Sequence, residues 1–244
     1  AYIQLLMGDY TNGWINFEWR KKVEEPLLVH CFPQSEAWDG KDNLIDNKLL
    51  VVSEQGLGDN FHFMRYINYL RDNGFDVRFC APKKLHSLII SSKISLNPIT
   101  LEQGKFYKES KWISIFDLPK ILKVSENNPL INKPYLYASP KLVEKWRPYF
   151  KNENERIIGI NWQGNPKVEK ENLKGRSIPL KNFENLFNSE FKYLSLQRGY
   201  GSESLKSCKF KNKFVSFQKH TNKIRDFGEI AALIQNCSLI ITSD

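Results

Sequence analysis

The stretch KLLVVSEQGLGDNFHFMRYINYLRDNGFDVRFCAP, Lys48 to Pro82, constrains the fold more than any other part of the chain. Lys48 to Ser53 is a near-continuous apolar run of strand length, as expected for a strand buried on both faces. A short turn, Glu54 to Asp59, separates it from Phe61, Met64, Ile67 and Leu70, which share one helical face. Gly74 stands where a helix C′ residue belongs, and Phe75 to Pro82 is a second apolar strand closed by proline. Two strands joined by a helix in about 35 residues make a βαβ unit, and such a crossover requires a parallel sheet.

The alternation continues through KKLHSLIISS, NPITL and KWISIFDLP, then crosses a Pro-punctuated, charged stretch, NKPYLYASPKLVEKWRPYFKNENE. A second unit opens with the strand RIIGINW, Arg156 to Trp162, followed by the polar loop QGNPKVEKENLKGRS. Pro179 is expected to start a helix with Leu180, Phe183, Leu186 and Phe187 on its inner side. KYLSLQ and KFVSFQ read as strands, Asp226 with Glu229 three residues later reads as a capping-box-like helix start, and Leu239 to Thr242 as a buried strand. The expected class is therefore α/β, two Rossmann-like lobes in succession, with a boundary near Asn152.

Ahead of these units, Ala1, Leu5 and Leu6 recur at helical spacing, Gly8-Asp9-Tyr10 interrupts, and Trp14, Phe17 and Trp19 form an aromatic stripe. A hairpin this short cannot bury its own face, so it looks like the last unit of a tetratricopeptide (TPR) array that gains stability by stacking on neighbours. A buried final strand likewise asks for a covering helix. A longer protein is expected, with residues 1–45 a helical remnant and linker, 46–152 the first lobe, and 153–244 the first part of an incomplete second lobe.

Composition narrows the class further. With 41% apolar and 13% aromatic residues over 244 positions there is material for a real core. No run approaches the ~20 apolar residues of a membrane span, and the N-terminus has no export-signal pattern. Cys31, Cys80, Cys208 and Cys237 are too dispersed for a zinc or redox motif, so reduced thiols and a cytoplasmic setting are expected. The net charge of +9 comes from scattered lysines rather than a block, and no nucleic-acid partner is expected.

In parallel α/β sheets ligands sit outside the carboxyl ends of the strands, which singles out Glu54–Asp59, Trp162–Ser177, Gln197 with its neighbours, and Asp244. GLGD lacks the third glycine of a dinucleotide fingerprint and the Gly-Lys-Ser/Thr of a P-loop. Two roles fit Asp59: a helix N-cap, or a general base that takes a proton from an acceptor hydroxyl, with Gly56 and Gly58 permitting close approach. His62, one turn on, reads as an ordinary helix histidine or a second catalytic group. The loop carrying Gly164, Asn165, Lys167, Lys170, Lys174, Gly175, Arg176 and Ser177 fits either a solvated charged loop or an anion site ahead of a helix start.

Taken in order, GDYTNGWINFEWR, the Leu49–Pro82 stretch, IGINWQGNP, RSIPL, YLSLQ and RDFGEIAALIQNCSLIITSD resemble the glycosyltransferase-like domain that follows TPR repeats in many bacterial proteins. That family is similar to the heptosyltransferases of lipopolysaccharide synthesis and has a GT-B fold of two Rossmann-like lobes. The resemblance implies a transferase that moves a sugar from a nucleotide-sugar donor to an acceptor hydroxyl of a glycan or protein by metal-independent inversion. It implies Asp59 as the base. Gly164, Asn165, Lys174, Arg176 and Ser177 would lie at the donor diphosphate, Gln197 and Asp226 near the nucleotide, and Asp244 at donor sugar and diphosphate. It implies no cofactor or metal, and a protein partner for upstream TPR repeats. The chain departs from the pattern at Val168, where relatives usually carry His, and the loop up to Arg176 is longer. A catalytically silent TPR and α/β scaffold for protein interaction is the alternative, and whether this segment turns over by itself stays open.

Overall fold

The structure, a computed structural model, describes residues 1–23, 29–42, 44–130, 133–153, 156–166, 169, 175–187 and 190–243. The chain divides into two compact units, Ala1–Tyr137 and Ala138–Asp244. The division precedes the helix Pro140–Lys151 instead of following it at Asn152. The reason is packing: Trp146 and Phe150 of that helix share a core with Ile157, Leu194 and Leu233.

The first unit contains a three-stranded parallel sheet in the order β2-β1-β3, with β1 Lys48–Val52, β2 Asp76–Cys80 and β3 Trp112–Ser114. Lys48 to Val52 pair with Asp76 to Cys80, and Leu50 to Val52 with Trp112 to Ser114. Leu49 to Val52 are all buried, as an apolar strand sandwiched on two faces should be. Leu50 and Val52 pack with Val29, Cys31 and Cys80. Leu49 and Val51, by strand alternation, face the other side. The helix between β1 and β2 runs Leu57–Asp72 and buries Met64, Tyr66, Ile67 and Leu70. NPITL contributes only an isolated bridge, Cys80 with Ile99.

The N-terminal segment forms α1 Tyr2–Leu6 and α2 Tyr10–Phe17, and the Leu57–Asp72 helix is then α3. Gly8, at φ +83°, makes the turn, and Asp9 caps α2 by accepting from the Asn12 amide at 3.3 Å. A Cβ on Gly13 would lie 2.6 Å from Leu5 Cδ2, so glycine there lets the two helices approach. Trp14 and Phe17 pack edge-on, Trp14 reaches Phe63 of α3, and Phe17 reaches Phe116. The aromatic stripe is thus covered by the unit itself. Trp19 does not belong to it: α2 ends at Phe17, a 3₁₀ turn over Glu18–Lys21 follows, and Trp19 is left 63% exposed while Arg20 turns inward.

The second unit repeats the scheme in the order β5-β4-β6, with β4 Arg156–Asn161, β5 Phe191–Ser195 and β6 Leu239–Thr242, all parallel. The two faces of β4 feed two cores. Ile157 packs with the Pro140–Lys151 helix, α4, and the Phe227–Asn236 helix, α5. Ile158, Ile160 and the following Trp162 pack with Leu180, Phe183, Tyr193 and Phe214.

Two expectations fail here. KFVSFQ is not a strand: Phe214 makes one isolated bridge with Tyr193, and Val215 N donates to Tyr193 O at 2.9 Å. Ser216 then donates its amide and hydroxyl to Glu153, and the chain turns into the short helix Gln218–Thr221, which ends the pairing. The element after Pro179 is a 3₁₀ segment, Leu180–Leu186, with Pro179 as its N-cap. It buries Leu180 and Phe183 but leaves Leu186 47% exposed. No helix among the described residues is long and apolar enough to cross a membrane.

Candidate functional site

Each sheet has its first strand in the centre, so the chain reverses its direction of travel across the sheet at β1 and at β4. In open α/β sheets that reversal opens a crevice at the carboxyl ends of the strands. Each unit therefore has one such end.

At the end of β1 the chain enters the turn Ser53-Glu54-Gln55-Gly56. Asn60 clamps it from the first turn of α3. Its Oδ1 accepts from the Glu54 amide at 3.3 Å, and its Nδ2 donates to the carbonyls of Glu54 and Gly56 at 2.8 and 2.6 Å. Gln55 sits at φ +57°, a left-handed conformation that a non-glycine residue adopts only when its surroundings hold it. His30 supplies that hold. Its Nε2 lies 2.8 Å from the Gln55 carbonyl, which can only accept, so Nε2 carries a proton, and its Nδ1 meets Ser53 Oγ at 2.7 Å.

Asp59 is not the N-cap. Gly56 occupies that position, and Asp59 stands at N3, where Oδ2 accepts from the Gly56 amide at 3.0 Å in a capping box. A Cβ on Gly56 would fall 2.8 Å from that oxygen, so glycine is required for the contact and not for its φ of −75°. Nothing lies within 4 Å of a Cβ built on Gly58, which leaves open space over the helix start. Asp59 is exposed, and among the described residues no hydrogen bond engages its Oδ1. His62 lies one turn on. Burial, with Arg65 beside it, pushes its imidazole below the usual histidine range, and Asp59 opposes this in part.

Beneath this turn lies a buried ionic group that sequence reasoning missed. Glu54, 0% exposed, receives Arg20 Nε at 2.8 Å and Nη2 at 3.0 Å, and also the hydroxyl of Ser114 at the end of β3. Arg20 Nη2 also reaches Asp117 at 2.9 Å, and Lys21 pairs with the other Asp117 oxygen at 2.6 Å. The guanidinium sits 4.7 Å from the Phe17 ring centre. Burial works against the charge on Arg20, but Glu54 and Asp117 outweigh it and hold its pKa above the ordinary value. Glu54 lay inside the turn singled out from sequence; its partner is 34 residues upstream, a separation no motif encodes.

At the end of β4, Gln197 is 4% exposed and fully used. Its Oε1 accepts from the amides of Trp162 and Gln163 at 3.1 and 2.9 Å, and its Nε2 donates to the carbonyls of Gln163 and Tyr200 at 2.9 and 2.6 Å. That is the whole capacity of a primary amide, so Gln197 clamps two loops together. Ser177 is also engaged. Its amide and hydroxyl each donate to Glu169 at 2.6 Å, and its hydroxyl accepts from the Gly164 amide at 3.3 Å. These bonds lower the Glu169 pKa, the Ser177 hydroxyl first. The donors expected to meet a phosphate therefore hold a carboxylate of the same loop. Glu169 stood in that loop without being singled out.

Ser177 and Trp162 line a cavity of about 680 Å³ with Ile178, Pro179, Leu180 and Phe210. Gly164, Asn165 and Arg176 lie on the same loop, half-buried apart from exposed Asn165. Asp226 caps α5, accepting from the amides of Gly228 and Glu229 at 2.9 and 3.1 Å. Glu229 does not complete a capping box but turns to Lys145 and the Trp146 indole. Lys167, Val168, Lys170, Lys174 and Asp244 lie outside the described residues. Among the described residues, no three His, Cys, Asp or Glu side chains gather as a metal set. No protein-family model, no curated protein and no solved structure matches the chain.

Proposed function

We propose that this chain is a GT-B-like glycosyltransferase unit of a TPR-linked protein. Its second unit would bind a nucleotide-sugar donor, and its first would activate the hydroxyl of a glycan or protein acceptor. The observation that carries the reading is Asp59: an exposed carboxylate at the carboxyl end of a central parallel strand, oriented by one bond to Gly56 and clear of the buried Arg20–Glu54 pair. In this role Asp59 accepts the acceptor's proton as its oxygen attacks the anomeric carbon, and the bond to the nucleoside diphosphate breaks with inversion. Arg176 and the loop at Gly164–Asn165 stand on the donor side, with Gln197 and Asp226 as positioning residues.

A silent protein-binding scaffold is the second reading, favoured by one observation. The outer side of α1 exposes Ile3, Leu6 and Met7, Leu6 to 89%.

Calorimetry of the protein against UDP-, ADP- and GDP-sugars separates the two, since a scaffold need not bind any donor. For an enzyme, Asp59→Asn should lower turnover by about 10²–10⁴-fold with donor affinity kept. Unchanged turnover in that variant would show that Asp59 is not the base.

A further inference from the structure

We propose that the second unit carries an oxyanion-binding pocket centred on Arg198 and Arg225, made for a phosphoryl group. A cavity of about 270 Å³ opens beside the carboxyl end of β5, lined by Gln197, Arg198, Gly199, Lys206, Asn222 and Arg225. The Arg198 guanidinium is fixed in place by Nη1, which donates to the carbonyls of Ser195 and Gln197 at 3.0 and 2.9 Å. Its opposite edge, Nε and Nη2, is buried and has no hydrogen-bond partner among the described residues. Those two N–H groups form the fork that receives two oxygens of one anion.

Leaving such an edge unbonded is costly, because a buried donor has given up water without gaining a partner, and most costly on a charged group. Packing has not been arranged to relieve it. Arg225, whose own Nη1 is tied to the carbonyls of Asn222 and Ile224 at 2.7 and 2.8 Å, brings a second guanidinium to the same cavity. Lys206 adds a third cation, and the single carboxylate in the lining, Glu203, forms no ion pair with any of them among the described residues. Burial first, and then Arg225, lowers the Arg198 pKa to about 10, the sign of a cation held near another without a counterion.

An anion bridging the two arginines would bond the idle edge and offset the repulsion at once. Two guanidiniums and an ammonium favour the double charge of a phosphoryl group over a carboxylate. The cavity is smaller than the ~300–1,000 Å³ of whole-ligand clefts, which fits a charged group and not a complete substrate. The pocket is distinct from Ser177, whose donors already hold Glu169, and it uses neither Asp59 nor glycosyl transfer.

The test is calorimetric titration of the protein with inorganic phosphate, followed by thermal unfolding with and without phosphate. One-to-one binding is expected, weakening with added salt and raising Tm. Arg225→Gln, at an exposed position, should weaken it about tenfold or more, and Arg198→Lys, which keeps the charge and loses the fork, by a similar factor. Glycerol 3-phosphate, with glycerol as its uncharged control, distinguishes a phosphoryl group borne by a larger molecule from free phosphate. Binding of glycerol 3-phosphate tighter than that of phosphate supports the former, and equal or weaker binding the latter. No phosphate binding at millimolar concentration, equal binding by all three proteins, or binding of glycerol itself would overturn the proposal. If Arg198→Lys does not fold, Arg225→Gln decides alone.

Discussion

The carboxyl ends of the two sheets are built with opposite electrostatics. In the first unit a carboxylate, Glu54, is buried at the end of β1 and neutralised on the spot by Arg20, with Asp117 and Ser114 completing the group. In the second, uncharged amides do the fastening. Gln197 joins the β4 and β5 loops, and Gln218 reaches back to bond both the amide and the carbonyl of Ser195. Where charge is consumed internally, a group outside the buried set is left for a ligand, and the exposed Asp59, which we propose as the base, is such a group. Where neutral amides hold the frame, cations such as Arg198 stay available for a ligand.

The sharpest way to break this comparison is to remove one side chain from each fastening. Arg20→Met leaves Glu54 buried without its cation and should cost about 3–5 kcal/mol of first-unit stability in denaturant titration. Arg20→Met combined with Glu54→Leu should cost less than the single change, because no orphaned charge remains inside. A loss under about 1 kcal/mol for the single variant would mean that the pair is not the fastening described. Gln197→Ala should be milder. It removes four bonds of a neutral amide and leaves the Trp162 and Gln163 amides without acceptors, for about 2–3 kcal/mol. Amide hydrogen exchange should accelerate at Trp162 and Gln163 and stay unchanged along β1, and faster exchange in both units would sink the assignment.

These fastenings were the least legible part of the molecule in its sequence. The apolar runs of β1, β2, β4 and β5 and the faces of α3 and α5 were readable because period and burial coincide there, whereas β6 pairs with β4 but is not the buried strand expected, with Leu239 52% exposed. KFVSFQ alternates just as well, yet Glu153 captures Ser216 before a second ladder bond forms, and that competition is invisible locally. Trp19 fitted the aromatic stripe by spacing, but α2 ends two residues earlier and the 3₁₀ turn rotates Arg20 into its place. Asp59 was misplaced by three positions, N3 instead of N-cap, for a related reason. Leu57 and Gly58 read as turn because of the glycines around them, whereas the helix already includes both, which moves the cap back to Gly56. The candidate residues Asp59, Gln197, Ser177 and Asp226 all fell at carboxyl ends of strands or at helix starts, where the α/β rule directs attention. What the rule does not encode is how much of their bonding capacity the fold itself consumes.

The smallest expected effect sharpens the same contrast at the helix start beside Asp59. Burial, joined by the Arg65 guanidinium, lowers the His62 pKa, and only Asp59 acts the other way. The unfolded chain takes up a proton at this residue near pH ~6.5, and the folded chain does so only at lower pH. Between those two values the unfolded state binds more protons, so stability rises with pH through that window and is level in this respect above it. His62→Gln should flatten the pH dependence of the first unit's unfolding midpoint below the usual histidine value of ~6.5 and leave the second unit's unchanged. An NMR titration gives the direct reading: the His62 midpoint should lie below ~6.5, fall further in Asp59→Asn, and rise in Arg65→Gln. A midpoint at or above the ordinary value would show that Asp59 dominates its neighbour, and would make His62 and Asp59 a coupled pair.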